Sequence, residues 1–154
     1  MAAVVLSAIL FVAPYLPHRQ AKVYARLIIA QATKRNLDPL KVVAVTHHES
    51  RFRNRRRSRT NDLGLMQVHV SKTTNPRYQG RELELYAPAL NFRLGTRLLQ
   101  LWKGYHGRHC KGLKHKWWGH YKWGGRVRTR SYGRAVNAIL EQIRAHLARS
   151  AGSV

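Results

Sequence analysis

The sequence predicts a predominantly helical α+β domain with one small β-hairpin. Several segments carry apolar residues at helical spacing, and one short stretch has the residues of a turn followed by an extended strand. The chain has 154 residues, of which 44% are hydrophobic, so it is long enough for a single ordinary core. We therefore expect one domain over residues 20–148, preceded by a hydrophobic segment, 1–19, and followed by a short tail, 149–154.

The N-terminal segment is apolar, and residues 1–17 contain no charged side chain. It is shorter than the roughly 20 residues that span a bilayer. Its length suits the apolar region of a secretory signal, although the basic stretch that usually precedes such a region is missing. We interpret it as an export signal or membrane anchor, and the alternative is an N-terminal helix packed on the domain.

Four further segments have apolar residues at helical spacing and predict helices, over residues 20–36, 38–50, 88–102 and 132–147. The start of the second is the best defined, because Asp38 offers a side-chain acceptor at the N-cap and Pro39 suits the first helical position. Asn61, Asp62 and Gly64 indicate a turn over residues 61–64, and residues 65–70 are typical of a short extended strand.

Basic residues dominate the charge of the chain, with 29 Lys and Arg against 6 Asp and Glu, for a net charge of +23. Six arginines fall within residues 51–60, and aromatic residues alternate with basic ones over residues 102–123. Aromatic faces stack on sugars as well as on bases. We therefore expect nonspecific binding to anionic polymers, whether nucleic acid, teichoic acid or an anionic membrane, and charge alone does not distinguish them.

Glu49 is the leading candidate for a catalytic residue, because it closes the apolar run 42–48 in a chain with few carboxylates. Burial beside apolar groups raises the pKa of a carboxyl group, as a general acid requires. The alternative is a helix-end carboxylate paired with Arg51 or Arg53. Cys110 is the only cysteine, so no intramolecular disulfide is possible. We see no His-x-x-x-His or Cys–His cluster and expect no metal and no cofactor.

Glu49-Ser50, followed fifteen residues later by Gly64-Leu65-Met66-Gln67, resembles the soluble lytic transglycosylases and the goose-type lysozymes. This resemblance implies a lysozyme-like fold, with the hairpin flanking a sugar cleft and Glu49 as the catalytic acid. It also implies that a set of residues binds substrate: Ser50, Gly64, Leu65, Met66, Gln67, Asn91, Tyr121 and Tyr132.

Residues 120–124 stand where that family has Ala-Tyr-Asn-Ala-Gly, and only Tyr121 and Gly124 match. The resemblance implies that the Tyr121 hydroxyl points at Glu49. Goose-type lysozymes commonly carry an aspartate where this chain has His69. Asp62 is then the only other carboxylate near the cleft, and its position in a turn explains it adequately.

The resemblance implies a lytic transglycosylase that cleaves the β-1,4 bond between N-acetylmuramic acid and N-acetylglucosamine and forms a 1,6-anhydro product. The presence of a single suitable carboxylate favours this reaction over ordinary hydrolysis, which uses two. A hydrolytic muramidase is the first alternative. The second is a basic protein that binds nucleic acid or cell wall without catalysis. The expected partner is peptidoglycan, and we expect a monomer that acts in the periplasm or cell envelope, or with a phage.

Overall fold

The computed structural model describes residues 1–110, 118, 120–123 and 131–152. Within these ranges the chain forms six α-helices, one two-stranded sheet and two short 3-10 helices. The helices are α1 (Ala2–Val12), α2 (His18–Lys34), α3 (Pro39–Ser50), α4 (Pro88–His109), α5 (His120–Trp123) and α6 (Ser131–Ala151). The strands are β1 (Asp62–Leu63) and β2 (Val68–His69), and the 3-10 helices are Pro76–Tyr78 and Glu82–Tyr86.

Helix α3 lies at the centre of the helical core and packs against α1, α2 and α6. Its residues Val42–Thr46 are buried because apolar side chains occupy several of its faces. The helix starts as predicted, since the Asp38 carboxylate accepts a hydrogen bond of 2.9 Å from the Leu40 amide.

The end of α3 is an abrupt reversal made by two consecutive residues other than glycine in the left-handed region. Arg51 has φ 50° and Phe52 has φ 58°. The Phe52 side chain is only 1% exposed, and its ring lies 6.1 Å from that of Tyr24. Burial of this side chain therefore fixes a backbone conformation that is otherwise unfavourable for these residue types.

The N-terminal segment forms α1, whose Val5, Ala8 and Ile9 are fully buried against the domain. Its contacts are with α2, α3 and α6. The packed helix was the alternative interpretation of this segment, and a role in export or anchoring stays a prediction. Among the described residues, no helix has both the length and the apolar character needed to cross a bilayer.

The hairpin is where the sequence predicts it, but its turn is shifted. Strands β1 and β2 are antiparallel, with Asp62 opposite His69 and Leu63 opposite Val68. The turn is therefore formed by residues 64–67, and not by 61–64 as predicted. Gly64 and Gln67 both have positive φ, at 77° and 48°, so left-handed residues stand at both ends of the turn.

Helices α4 and α6 both extend beyond their predicted C-termini. The leucines that predict α4 by their helical spacing are Leu90, Leu94, Leu98 and Leu101, yet the helix continues to His109. The continuation is rich in basic and aromatic residues, and Trp102 and Tyr105 contact each other edge to face with ring centroids 5.4 Å apart. Apolar periodicity therefore predicts the helix but neither its last turns nor its buried face. Leu101 is 56% exposed, whereas the buried residues of α4 are Asn91, Phe92, Leu94, Gly95, Thr96 and Leu99.

Candidate active site

A cleft of about 430 Å³ lies between the end of α3, the hairpin, α4 and α5. Glu49 lines it from α3, and Asp62, Gln67 and His69 line it from the hairpin. The remaining lining residues are Thr60, Thr74, Leu98, Trp102, Tyr121 and Lys122. The structure thus brings three of the predicted site residues, Glu49, Gln67 and Tyr121, to one surface from segments far apart in the chain.

The Glu49 side chain is partly open to the cleft and is otherwise surrounded by protein. Burial raises the pKa of this carboxyl group from its ordinary 4.5 to about 7. A hydrogen bond from Tyr132 and the positive charges of Lys122 and Arg56 act against this shift, and the negative charge of Asp62 adds to it. A carboxyl group with this pKa is poised to give and to take a proton near neutral pH.

Tyr132 is the tyrosine that contacts Glu49. Its hydroxyl donates a hydrogen bond of 2.6 Å to Oε1 of Glu49, and its ring packs edge to face on His48 at 4.8 Å. The expectation that the Tyr121 hydroxyl points at Glu49 is wrong. That hydroxyl donates to the Met66 carbonyl at 2.7 Å, and Tyr121 therefore joins α5 to the hairpin turn.

Asp62 is more than a turn residue, because it lies on β1 and faces the cleft. Its Oδ1 is 2.8 Å from Nδ1 of His69, and its Oδ2 accepts from Ser58 at 2.7 Å and from Thr60 at 2.6 Å. Burial raises its pKa, but the hydrogen bonds from Thr60, Ser58 and His69 outweigh this effect, and the pKa is lowered. Asp62 is therefore an ionised carboxylate with both oxygens engaged.

The buried members of the predicted set lie behind the cleft surface. Ser50, Leu65, Met66 and Asn91 are 0% exposed, and Gly64 is also buried. Their side chains do not reach the cleft, which corrects the expectation that they line it. Gln67 does line the cleft, and its Nε2 donates to the Gly64 carbonyl at 2.9 Å and to the Arg56 carbonyl at 3.1 Å.

Asn91 holds the hairpin turn in place through three hydrogen bonds of 2.8 Å each. Its Nδ2 donates to the carbonyls of Leu63 and Leu85, and its Oδ1 accepts from the Met66 amide. Gly64 must lack a side chain here, because a Cβ would lie 2.7 Å from the Leu85 carbonyl oxygen. Asn91 therefore braces the turn from behind the cleft.

Met66 packs under α4 at Gly95. A Cβ at Gly95 would lie 2.6 Å from the Cβ of Met66, so only glycine allows this approach. The side chain of Met66 is consequently part of the core beneath the turn and does not form a floor of the cleft.

Several lining residues were missed by the sequence analysis. Lys122 replaces the asparagine of the family segment, which is the signal that could have indicated it, and Trp102 was included only in the general aromatic stretch. Thr60, Thr74 and Leu98 carry no signal in the sequence. Trp117, Gly124 and the side chain of Trp123 lie outside the described residues.

A second group of polar side chains lies at the end of α4. His106, Cys110 and His120 have potential ligand atoms all within 4.8 Å of one another. Sγ of Cys110 and Nε2 of His120 are 3.5 Å apart. The expectation that the chain has no Cys–His cluster is therefore wrong.

The transglycosylase SLT domain matches residues 26–121, well over half of the chain. The chain belongs to the transglycosylase SLT domain family. No curated protein and no solved structure matches the chain significantly. The SLT match includes Glu49, the hairpin and Tyr121, whereas Tyr132 lies beyond it.

Membership confirms the predicted family and the predominantly helical, lysozyme-like α+β fold. The function of an SLT domain is of the lytic transglycosylase type, which is the cleavage of peptidoglycan. Such a domain acts outside the cytoplasm or in association with a phage.

Proposed function

We propose that this SLT domain is a lytic transglycosylase that cleaves the β-1,4 bond between N-acetylmuramic acid and N-acetylglucosamine. The product would carry a 1,6-anhydro ring on its N-acetylmuramic acid end. The observation that carries the proposal is Glu49, a carboxyl group with a pKa of about 7 that opens to the cleft and accepts a hydrogen bond from Tyr132.

The proposed reaction uses Glu49 twice. Protonated Glu49 first donates its proton to the glycosidic oxygen, and the bond from that oxygen to C1 of N-acetylmuramic acid breaks. The N-acetyl group of the substrate stabilises the positive charge that develops at C1. The Glu49 carboxylate then takes the proton of the 6-hydroxyl group, and O6 bonds to C1. Glu49 ends in its starting protonation state, and no water is consumed.

The state of Asp62 supports a reaction with one carboxylate. Ordinary glycoside hydrolysis needs a second carboxyl group as a base or nucleophile. Both oxygens of Asp62 already accept hydrogen bonds or contact His69, and its lowered pKa makes it a weak base. Asp62 is better suited to stabilise the positive charge of the transition state than to activate water.

Hydrolysis is the second candidate, and one observation favours it. The Asp62–His69 pair lines the same cleft as Glu49. An imidazole held by a carboxylate can take a proton from water, and the reaction would then leave a reducing end. His69 itself stands where goose-type lysozymes commonly carry an aspartate.

The mass of the products distinguishes the two reactions. Purified peptidoglycan is digested with the full chain, and the released muropeptides are weighed. Anhydro ends support the proposal, whereas reducing ends, each one water heavier, would replace it with hydrolysis. The Glu49→Gln variant should lose activity by roughly 100- to 10,000-fold. Glu141→Gln, which changes an exposed carboxylate on α6, is the matched control and should retain activity.

The basic surface supports a proposal about the approach to the wall. Six arginines lie between Glu49 and β1, and the Arg56 carbonyl accepts hydrogen bonds from Gly64 and from Gln67. This arginine-rich loop is thus attached to the edge of the cleft. We expect it to attract anionic wall polymers to a monomeric enzyme. Because this attraction is between charges, the share of peptidoglycan binding that the loop supplies should fall as salt is raised, as should binding to nucleic acid. Retention on purified peptidoglycan that persists at high salt would come from uncharged contacts in the cleft.

A further inference from the structure

We propose that His106, Cys110 and His120 bind one Zn²⁺ ion that fastens α5 to the C-terminal end of α4. The proposal concerns a site beside the cleft and does not depend on which reaction the cleft performs. It begins with the placement of the three side chains. His106 and Cys110 are four residues apart at the end of α4, so they project from the same side of the helix. His120, at the start of α5, meets them from the other side.

The separations match a tetrahedral ion. Zinc lies about 2.3 Å from a thiolate and about 2.0–2.1 Å from an imidazole nitrogen, and these bonds at a tetrahedral angle place S and N about 3.6 Å apart. Sγ of Cys110 and Nε2 of His120 are 3.5 Å apart. All three ligand atoms lie within 4.8 Å of one another, and the half-buried His106 can close the remaining difference by a small side-chain rotation.

The donor set favours zinc among the common divalent ions. One thiolate and two imidazoles are soft or borderline ligands that suit Zn²⁺, whereas Mg²⁺ and Ca²⁺ prefer oxygen. Cys110 is 7% exposed and His120 is 1% exposed. The ring of Trp102 stacks on His120 with centroids 5.6 Å apart, and Tyr105 lies edge to face with it at 5.3 Å. Aromatic rings therefore orient one ligand and limit the access of water.

An ion here would stabilise one wall of the cleft. Helix α5 has four residues, too few to be stable by itself, yet Tyr121 and Lys122 both line the cleft. Tyr121 also donates to the Met66 carbonyl. A bond from His120 to an ion held by α4 would attach this short helix directly beside those two residues. Water would complete the tetrahedron.

Cobalt provides the direct test, because Co²⁺ replaces Zn²⁺ and reports a thiolate ligand by its colour. The full chain is reduced, treated with a chelator and titrated with Co²⁺. We expect one ion per chain, a thiolate-to-cobalt charge-transfer band in the near ultraviolet, and its loss when one equivalent of Zn²⁺ is added. Native mass spectrometry should show a single bound zinc. Absence of the charge-transfer band from the wild-type chain would overturn the proposal without any variant.

Variants separate this site from the other histidines of the chain. Cys110→Ser and His106→Ala should each weaken zinc binding by more than about 10-fold, since even partners outside the ligand shell contribute about that much. His109→Ala is the matched control, because His109 is an exposed histidine on the same last turn, and it should bind zinc as the wild type does. Zinc should raise Tm of the wild type and leave that of Cys110→Ser unchanged. Equal binding by all three variants would show adventitious binding to surface histidines and overturn the proposal.

Discussion

The Tyr132 hydroxyl donates a hydrogen bond of 2.6 Å to Oε1 of Glu49, although 83 residues separate the two in the chain. The contact joins α6 to the last turn of α3, the two helices with the most extensive contact in the fold. A phenol hydrogen bond favours the ionised carboxylate and so moderates the effect of burial on the pKa of Glu49. Helix packing thus sets the protonation of the candidate acid.

Tyr132→Phe should move the pH profile of activity. The proposed acid must be protonated, so turnover should fall as pH rises through about 7, the pKa of Glu49. Removing the hydroxyl removes a hydrogen bond that lowers this pKa, and the fall should therefore occur at higher pH. The rate of peptidoglycan digestion as a function of pH measures this shift. Tyr121→Phe is the control, because its hydroxyl bonds to Met66, and it should leave the midpoint where the wild type has it. If the pH midpoint of activity is the same in Tyr132→Phe as in the wild type, the hydrogen bond from Tyr132 does not set the pKa that controls catalysis.

Glu49→Gln should stabilise the fold in alkaline solution. A carboxyl group with a pKa of about 7 when folded and about 4.5 when unfolded binds more protons in the folded state between these values. Its contribution to stability is therefore present below pH 4.5 and is lost as pH rises through 7. The permanently neutral amide avoids this loss, and the free energy of unfolding at pH 8 should rise by at most about 3 kcal/mol.

Urea denaturation at pH 4 and at pH 8 checks this expectation. The gain should vanish at pH 4, where the glutamate is protonated in both states. Glu141→Gln, at an exposed site, should change stability little at either pH. A Glu49→Gln variant that is no more stable at pH 8 would contradict the raised pKa.

Asn91→Ala should be strongly destabilising. The side chain is fully buried and satisfies the carbonyls of Leu63 and Leu85 and the amide of Met66. Each buried backbone group left without a partner costs about 1–3 kcal/mol, so the free energy of unfolding should fall by at least about 3 kcal/mol. Chemical denaturation measures the loss. Asn137→Ala, on the surface of α6, is the control and should change stability little. If Asn91→Ala is no more destabilising than Asn137→Ala, Asn91 does not brace the hairpin turn.

Gly95→Ala should destabilise the chain, while Gly107→Ala in the same helix should stabilise it. The new Cβ at position 95 would meet the Cβ of Met66 at 2.6 Å, so α4 and the hairpin turn must separate. A Cβ at position 107 would meet no atom within 4 Å apart from its chain neighbours and the backbone of its own helix, and alanine there gains up to about 1 kcal/mol of helix propensity over glycine. Thermal unfolding of the two variants gives opposite shifts of Tm if the packing is as described. A higher Tm for Gly95→Ala would contradict it.

Local signals predict the parts of this fold that depend on neighbours in the chain. Asp38 caps α3 because its carboxylate reaches an amide two residues away, and Glu49 lies at the end of the same apolar run. The hairpin turn lies at residues 64–67 instead of the predicted 61–64, because the pairing of Asp62 with His69 sets the register of the two strands. Residue identity alone does not determine that choice.

Contacts between distant segments could not be predicted in the same way. The family pattern selected Tyr121 as the tyrosine facing Glu49, but the packing of α6 on α3 brings Tyr132 there. His106 and Cys110 have the spacing of neighbours on a helix face, yet their meeting with His120 depends on how α5 docks on α4. These positions need the three-dimensional structure, because their partners lie on separate helices.

The reversal at Arg51 and Phe52 decides what the carboxyl group of Glu49 can meet. Had the chain continued as a helix, the next turn would lie directly beyond Glu49 and cover the space that now opens toward the hairpin. A protein engineer who moved this glutamate into another helical scaffold would need to bring the two left-handed residues and the phenylalanine anchor as well. Glu49 and the backbone reversal that ends α3 just after it therefore form one transferable unit.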